Sequence, residues 1–475
     1  MGLYQVALSV FALFLTLGSG GIPIAVSRTV TQSYAQKRKD KAFSVLSAGV
    51  ILSLLLTLPI FLLLEIFGEK LTFLFSDTGS FSVFRILLIG LCFSSVYSVL
   101  RGYFWGKRNF LLPALFDIAE ETVMVIVGVL LLQNVASPLS GAQQAAWAVV
   151  ASYLFSFLAA ALCYLFQGGR LSMPQNTLKP LFNAAMPITS VRAGNSLINS
   201  AVAVLFPAML LKAGFSQSDS LQIFGVISGM VLPVLFIPAT LIGSLSLVLI
   251  PELSEDLFKK NYERLRKNIL RSIRFAVLVA CTLIPLFYSL GEDIGKIAFS
   301  NAEAGILIQR SCPILLPMCL TMISTSMLNS LGFERHTFLF YFIGAAAMLL
   351  GILFLPPLCG GYAYLIGLGS SFVLTGVCNF VLLFKKCNIF KKGQGQVFVQ
   401  ALFPSLISVL PIALLGQFFS TLLKSFLGEL TAFVLTGAIL ILLLLLFYML
   451  CGIVPIKALL VNIFKGKKRK TKKST

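Results

Sequence analysis

Long apolar runs separated by short polar connections recur from one end of the chain to the other. Each run has about 20 or more residues, which is the length an α-helix needs to cross a hydrocarbon core of roughly 30 Å. The pattern therefore predicts an all-α polytopic membrane protein with thirteen transmembrane helices. The predicted spans are residues 3–27, 42–65, 82–104, 112–133, 143–167, 181–211, 222–250, 270–290, 304–330, 337–356, 362–384, 397–423 and 428–452.

The composition agrees with this prediction, because 58% of the 475 residues are hydrophobic and only 11% are charged. A net charge of +20 could also indicate a nucleic-acid-binding protein, so the positions of the basic residues decide between the two. Of the 37 Lys and Arg residues, 28 lie in alternate connections and in the tail from residue 465. By the positive-inside rule these connections and the C-terminus are cytoplasmic. We expect the tail to anchor at the membrane surface and not to bind nucleic acid.

Little in the sequence points to catalysis or to a metal. The nine Cys residues are mostly scattered through apolar spans without a C-x-x-C pair, and His336 is the single histidine. Cysteines in this pattern usually serve as small packing residues, and a single histidine in a turn is usually solvated. We therefore expect no metal, no cofactor and no enzymatic activity.

Three short segments recur in the same order at offsets of 226 to 228 residues. The earlier copies are IPIAVSR from residue 22, LPIF at 58–61 and WGKRNFLL at 105–112; the later ones are IPELSED from residue 250, IPLF at 284–287 and LGFERHTFLF at 331–340. An even number of spans separates the copies, so the spacing predicts two parallel lobes related by an axis along the membrane normal.

The duplication defines the predicted domains. They are an N-terminal lobe with five helices at 1–167, a cytoplasmic connection at 168–180, a C-terminal lobe with six helices at 181–384, two additional transmembrane helices at 397–452 and a basic cytoplasmic tail at 453–475. The counterpart of span 181–211 would precede Met1. We therefore expect the first helix of the first lobe to be missing from this sequence, with a natural thirteen-helix protein as the alternative.

Two longer segments carry a resemblance to a known family. GLYQVALSVFALFLTLGSGGIPIAVSR at 2–28 and LRGYFWGKRNFLLPALFDIAEE at 100–121 resemble the stage V sporulation protein B group. That group belongs to the polysaccharide-transport branch of the multidrug, oligosaccharidyl-lipid and polysaccharide exporter superfamily. The resemblance implies two six-helix lobes and an alternating-access flippase for undecaprenyl-linked sugars, including lipid II, in the bacterial cytoplasmic membrane. Members of the group begin with a helix ahead of the G-L-Y-Q segment, and this chain does not.

A polar stripe interrupts the apolar span 181–211. Arg192 lies about 16 Å into this span, and Asn195, Ser196 and Asn199 follow at i+3, i+4 and i+7, so all four share one helical face. A guanidinium suits a lipid pyrophosphate and amides suit sugar hydroxyls, so we predict that the stripe lines a substrate cavity. The alternative is a structural Arg192 that pairs with a carboxylate or extends to the interface.

Proline and glycine mark places where these helices could bend, namely Pro187 and Gly194 beside the stripe and Pro23 in span 3–27. In the related lipid II flippase the opening two helices of each lobe line the central cavity. By that resemblance Arg28, at the end of span 3–27, could meet a phosphate from the cytoplasmic side. An anchor at the membrane edge is the equally open alternative for this residue.

Three acidic residues, Asp117, Glu120 and Glu121, occupy one face of span 112–133. Adjacent anions in hydrocarbon need cations, and Arg101 on the preceding span is the natural partner, with Arg85 farther toward the outside. The cluster is either a structural ion-pair network or a proton or sodium site that couples transport. Arg310, by contrast, has no evident partner, and Glu252 is the one we consider.

The function predicted from these features is transport of an undecaprenyl-pyrophosphate-linked saccharide by a protein that acts as a monomer, with this glycolipid and membrane lipids as its partners. An organic-cation exporter of the same fold is the alternative, although it would favour a carboxylate over an arginine in the cavity. A membrane glycosyltransferase or ligase acting on the same lipids would need a large extramembrane loop with paired carboxylates or histidine, which this sequence lacks.

Overall fold

The computed structural model describes residues 1–67, 75, 78–133, 135, 137–174, 176–387 and 394–451, and this part of the chain is α-helical without any β-strand. The basic tail predicted at 453–475 lies outside the described residues. The first eight helices are α1 Gly2–Ser19, α2 Ile22–Ala35, α3 Lys39–Phe67, α4 Thr78–Gly106, α5 Leu111–Leu132, α6 Pro138–Phe166, α7 Leu178–Lys212 and α8 Gln217–Val226.

Ten further α-helices follow, two of them only four residues long. They are α9 Leu232–Leu235, α10 Ile237–Phe258, α11 Tyr262–Phe299, α12 Ala302–Ser311, α13 Leu315–Ser330, α14 Glu334–Phe354, α15 Pro356–Cys359, α16 Tyr362–Cys387, α17 Gln394–Phe426 and α18 Glu429–Leu450.

The contacts divide the chain into two compact units, Met1–Gly225 and Val226–Thr475. Helix α7 packs against α1, α2 and α3, so it belongs to the first unit. The lobes predicted from the repeat assign residues 181–225 to the second half instead. Contacts report which helices pack together and not which are related by duplication, so the repeat-based lobes stay a prediction.

Twelve helical segments of the described residues are long and apolar enough to cross a membrane. They coincide with twelve of the thirteen predicted spans, which confirms an all-α polytopic membrane protein. The remaining span is α5, which has 22 residues but carries three carboxyl groups in its first half. Its hydrophobicity is therefore interrupted where the acidic residues lie.

The predicted span 3–27 is two helices in series. Helix α1 ends at Ser19 and α2 begins at Ile22, with Gly20 and Gly21 between them. Pro23 causes the break, because proline has no N–H to donate to the carbonyl of residue 19 and its ring crowds that carbonyl. Pro23 therefore lies at the start of a new helix and not within a bent one.

The predicted span 222–250 is also interrupted. A π-helical turn occupies Ile227–Val231, and α9 ends just before Phe236. Pro233 and Pro238 explain both features, since each removes one backbone donor from the helical ladder. In α7, by contrast, the helix runs through Pro187 and Gly194 without ending.

The core of the first unit contains side chains from α2, α3, α4, α6 and α7. Its largest members are aromatic: the Tyr103 ring packs edge-on against Tyr164 at 5.2 Å, and its hydroxyl lies 3.0 Å from that of Tyr34. In the second unit, α17 and α18 pack against α11, where Ile412, Leu440 and Leu444 form a buried cluster.

Gly21 allows α7 to approach the break between α1 and α2. A Cβ at this position would lie 2.2 Å from the carbonyl oxygen of Ala185 and 2.6 Å from Thr189 Oγ1, so backbone atoms would have to move. We expect Gly21→Ala to destabilise the protein by about 1–3 kcal/mol, measured as a lower apparent melting temperature in detergent.

The matched control is Gly243→Ala in α10, where nothing lies within 4 Å of the added Cβ. This change is expected to be neutral or to stabilise the helix by up to about 1 kcal/mol. Equal effects of the two substitutions would contradict the close-packing explanation.

Candidate functional site

The break between α1 and α2 leaves backbone polar groups for another helix to satisfy. Arg192 Nη1 donates to the carbonyl oxygen of Gly20 at 2.9 Å, and the Gly21 N–H donates to Thr189 Oγ1 at 3.0 Å. Both partners come from α7, one turn apart. Because an unpaired backbone group in hydrocarbon costs several kcal/mol, α7 stabilises the interrupted helix.

The same face of α7 forms a hydrogen-bonded seam with α1. Ser196 Oγ lies 2.9 Å from Thr16 Oγ1, and Ser200 Oγ donates to the Ser9 carbonyl at 2.6 Å. Residues 189, 192, 196 and 200 thus meet residues 21, 20, 16 and 9 in antiparallel order. Small polar residues commonly join membrane helices in this way. Part of the polar stripe is therefore a contact between helices.

The two amides of the stripe behave differently. Asn195 Oδ1 is buried and has no hydrogen-bond partner among the described residues, whereas Asn199 is exposed. Neither amide belongs to the seam. The predicted role of both in binding sugar hydroxyls stays a prediction.

A polar cavity of about 240 Å³ lies within the first unit at the helix break. Its lining includes Ser19, Gly20 and Pro23 at the break, together with residues of α1, α4, α5, α6 and α7. The charged members are Arg101, Glu120 and Arg192. Arg192 uses one of its five N–H groups on Gly20, so further donors remain available at the cavity.

Arg192 is the group in this cavity that favours an anion. Of the two guanidinium groups, Arg101 pairs with Asp117, and the carboxylate of Glu120 accepts a hydrogen bond from Ser156 Oγ. The first turn of α2 also begins at the cavity, and a helix N-terminus carries roughly half a positive charge. The cavity is smaller than the 300–1,000 Å³ typical of ligand pockets, so its size suits a phosphate group better than a whole saccharide.

Arg101 connects this cavity to the acidic cluster of α5. Its Nη1 lies 3.5 Å from Asp117 Oδ1, which also accepts a hydrogen bond from the Tyr97 hydroxyl at 2.6 Å. The guanidinium packs over the rings of Tyr97 and Trp105, at 5.7 and 5.1 Å from their centroids. These aromatic contacts help to hold the guanidinium in place.

The acidic cluster lines a second, more open cavity of about 670 Å³. Asp117, Glu120 and Glu121 all contribute to it with Arg101, as the helical spacing predicts. Arg85, in contrast, forms an ion pair with Glu65 of α3. Both roles considered for the cluster, an ion site that couples transport and a structural ion-pair network, stay predictions.

Arg28 lies apart from these residues. It is exposed on α2, five residues beyond Pro23, and does not line the cavity at the break. A phosphate bound by Arg28 would therefore lie outside this cavity, and the predicted contact stays a prediction.

Sequence reasoning missed several polar partners. Arg310 donates to the Tyr362 hydroxyl at 2.8 Å and not to Glu252, which was the partner considered. Asp293, which lies beyond the end of a predicted span, is a buried residue of α11 and forms an ion pair with Lys424 of α17. The helix continues beyond the predicted end at residue 290 to residue 299. This continuation of the helical pattern could have identified Asp293 as a residue of the same helix.

Comparison with known proteins places these features in a family. Residues 1–257 match the family described as polysaccharide biosynthesis protein. Stage V sporulation protein B of Bacillus subtilis (strain 168) is 24% identical over 335 residues, which are 66% of this chain and 63% of that protein. Lipid II flippase MurJ of the same organism is 24% identical over 314 residues, covering 60% of this chain and 57% of that protein. The chain thus spans less than two thirds of the length of these two relatives.

Two solved structures share the fold. An inward-facing multidrug resistance MATE family transporter of the MOP superfamily matches with a TM-score of 0.70 at 14% identity, covering 82% of this chain and 91% of that one. A MOP superfamily transporter from Pyrococcus furiosus matches with a TM-score of 0.58 at 14% identity, covering 82% and 88%. At this identity the likeness concerns the fold alone. Since the family match covers more than half of its residues, this multi-pass membrane chain belongs to the polysaccharide biosynthesis protein family.

Proposed function

We propose that this protein is a flippase that moves an undecaprenyl-pyrophosphate-linked saccharide across the bacterial cytoplasmic membrane by alternating access. The observation that carries the proposal is Arg192 in the cavity at the helix break, where its guanidinium bonds to the neutral Gly20 carbonyl and lies beside the start of α2. This cavity receives the phosphate, while the polyprenyl chain stays in lipid. The family description, polysaccharide biosynthesis protein, and the name of one relative, Lipid II flippase MurJ, support the same class of cargo.

Arg192 has two roles in this proposal. Its bond to the Gly20 carbonyl fixes the guanidinium at the break, and its remaining N–H groups bind a phosphate oxygen. Because the anchor is a neutral carbonyl, the full positive charge stays available to the substrate. A carboxylate partner would have cancelled that charge.

Outward movement of a pyrophosphate opposes an inside-negative membrane potential by about 2.3 kcal/mol per charge per 100 mV. Uptake of a proton or sodium ion in exchange would offset this cost. Glu120 and Asp117 are the groups proposed for such coupling, since both lie beside Arg101. Under this proposal Glu120→Gln removes the dependence of transport on an imposed ion gradient; transport that keeps its gradient dependence would exclude Glu120 as the coupling group.

The second candidate is export of organic cations, which the carboxylates of the open cavity and the MATE-like fold favour. The Pyrococcus furiosus transporter of similar fold has a binding pocket of reversed polarity, which suggests a different function for that protein, so the polarity of the cavity is the property to compare. Here the polarity at the helix break is positive.

The function is tested with the purified full chain in proteoliposomes that contain a fluorescent undecaprenyl-pyrophosphate saccharide. Transport is measured as the fraction of label that a membrane-impermeant quencher reaches over time. We expect protein-dependent equilibration of the lipid and no protein-dependent efflux of ethidium from cells that express the chain. Ethidium efflux without lipid movement would overturn the proposal in favour of the cation exporter.

A further inference from the structure

The second unit contains a separate cavity of about 730 Å³, three times the volume of the cavity at the helix break. One wall is formed by the end of α12, the 3-10 turn Cys312–Ile314 and the side chain of Ile314; the other is formed by α15 and the first turns of α16. Most of its surface is hydrocarbon, contributed by residues such as Leu358 and Ile366.

Arg310 is the charged residue that lines this cavity. Its guanidinium donates to the Tyr362 hydroxyl at 2.8 Å and lies 5.6 Å from the centre of the same ring. Within the described residues no carboxylate forms an ion pair with Arg310, and its side chain is exposed. Ser311, which also lines the cavity, has a buried hydroxyl without a hydrogen-bond partner in that part of the chain. The site thus offers a cation and an unused hydroxyl beside an apolar wall.

The position of Arg310 along its helix places it in the outer half of the bilayer. Helix α12 starts after residue 301, and Arg310 follows its first residue by eight positions, or about 12 Å. The connections near residues 300 and 360 belong to the set poor in Lys and Arg, which the positive-inside rule assigns to the outside. The guanidinium bonds to Tyr362, the first residue of α16, so it extends from this depth toward the outer membrane–water interface, where the lipid phosphates lie.

We propose that this cavity binds an anionic phospholipid of the outer leaflet, with its phosphodiester on Arg310 and an acyl chain along Leu358 and Ile366. Charge complementarity selects this occupant. One guanidinium and one hydroxyl match a singly charged phosphodiester, whereas a pyrophosphate or a phosphate monoester carries more charge than they neutralise. A zwitterionic head group would bring its own cation beside Arg310. The site does not depend on the flippase proposed above.

Lipid binding is measured by native mass spectrometry on the full chain in detergent, titrated with phosphatidylglycerol, phosphatidylcholine or undecaprenyl phosphate. We expect one phosphatidylglycerol to bind more tightly than the other two lipids. Arg310→Ala should weaken its binding by about tenfold, the effect of one charge-assisted contact. Gly369→Leu should weaken it similarly while keeping the charge, because Gly369 lines the cavity and a side chain there would fill it.

The matched control is Lys296→Ala, which removes an exposed cation from the same side of the second unit but outside the cavity. Its affinity for phosphatidylglycerol should equal that of the unaltered protein. The proposal is overturned if Arg310→Ala binds normally, if Lys296→Ala loses as much affinity, or if Gly369→Leu has no effect. Tighter binding of undecaprenyl phosphate would overturn it as well and would identify the cavity as a site for polyprenyl phosphates.

Discussion

Arg192→Ala is expected to abolish transport of the lipid-linked saccharide while the protein still reaches the membrane. The substitution removes one of the two guanidinium groups at the cavity and leaves Glu120 facing Arg101 alone. A hydrogen bond to a charged group contributes about 1.5–3 kcal/mol, and because the Arg192 side chain is exposed we expect the lower end, roughly a tenfold weaker phosphate interaction. Transport in proteoliposomes, or complementation of a strain that lacks its own flippase, measures the effect.

The seam between α1 and α7 provides the control that separates binding from packing. Ser200→Ala removes the hydrogen bond to the Ser9 carbonyl without touching the cavity, and it should cost about 0.6 kcal/mol of stability with transport intact. Arg192→Lys keeps the charge but not the planar fork, so partial transport is expected. If Arg192→Ala lowers the stability of the protein while transport continues, the role of Arg192 is limited to its hydrogen bond with the Gly20 carbonyl.

Asp293→Ala is expected to cause the largest loss of stability in the second unit. Asp293 is 4% exposed, pairs with Lys424 and accepts a hydrogen bond from Ser420 Oγ at 3.4 Å. Removing one member of a buried ion pair leaves the other charge uncompensated and costs about 3–5 kcal/mol. Because a third of the Lys424 side chain is exposed, we expect the lower end of this range. The apparent melting temperature of the full chain in detergent reports the change.

Two further variants test whether the charge pair itself is responsible. The double substitution Asp293→Leu, Lys424→Met should recover most of the lost stability, since hydrophobic groups often replace a buried ion pair without loss. Lys259→Ala breaks the exposed pair with Glu255 and should leave the melting temperature unchanged. A double variant no more stable than Asp293→Ala would show that packing, and not the charge, holds α17 against α11.

Hydrophobic length predicted the number and order of the spans well, and α5 shows why one of them is exceptional. Its 22 residues match a predicted span, but its three acidic residues interrupt the apolar surface.

The prolines were harder to interpret, because a proline in an apolar span can have different outcomes. Pro23 separates two helices while Pro187 is accommodated inside α7. Whether neighbouring helices satisfy the freed backbone groups decides the outcome, and a single segment does not contain that information.

The candidate site was predicted in part. The shared face of Arg192 and Ser196 follows from helical periodicity, and so does the grouping of Asp117 with Glu120. The pairing of Asp117 with Arg101 was predicted because a short turn joins their two helices. Partners on helices farther apart along the chain were not predicted. Among the described residues Arg192 contacts a backbone carbonyl and no carboxylate, and Arg85 pairs with Glu65 of α3.

By itself, the sequence determined that this protein is an all-α membrane protein and which side chains share each helical face, because hydrophobic length and a period of 3.6 residues are local properties. The tertiary structure alone decided that α7 completes the break between α1 and α2, that Asp293 pairs with Lys424 of α17 and that Arg310 borders a second cavity. Arg192 and Gly20 are 172 positions apart in the sequence, and Asp293 and Lys424 are 131 apart. The contact between Arg310 and Tyr362 joins residues 52 positions apart. Pairing over such separations depends on how helices pack, and no pattern within one helix specifies its neighbour.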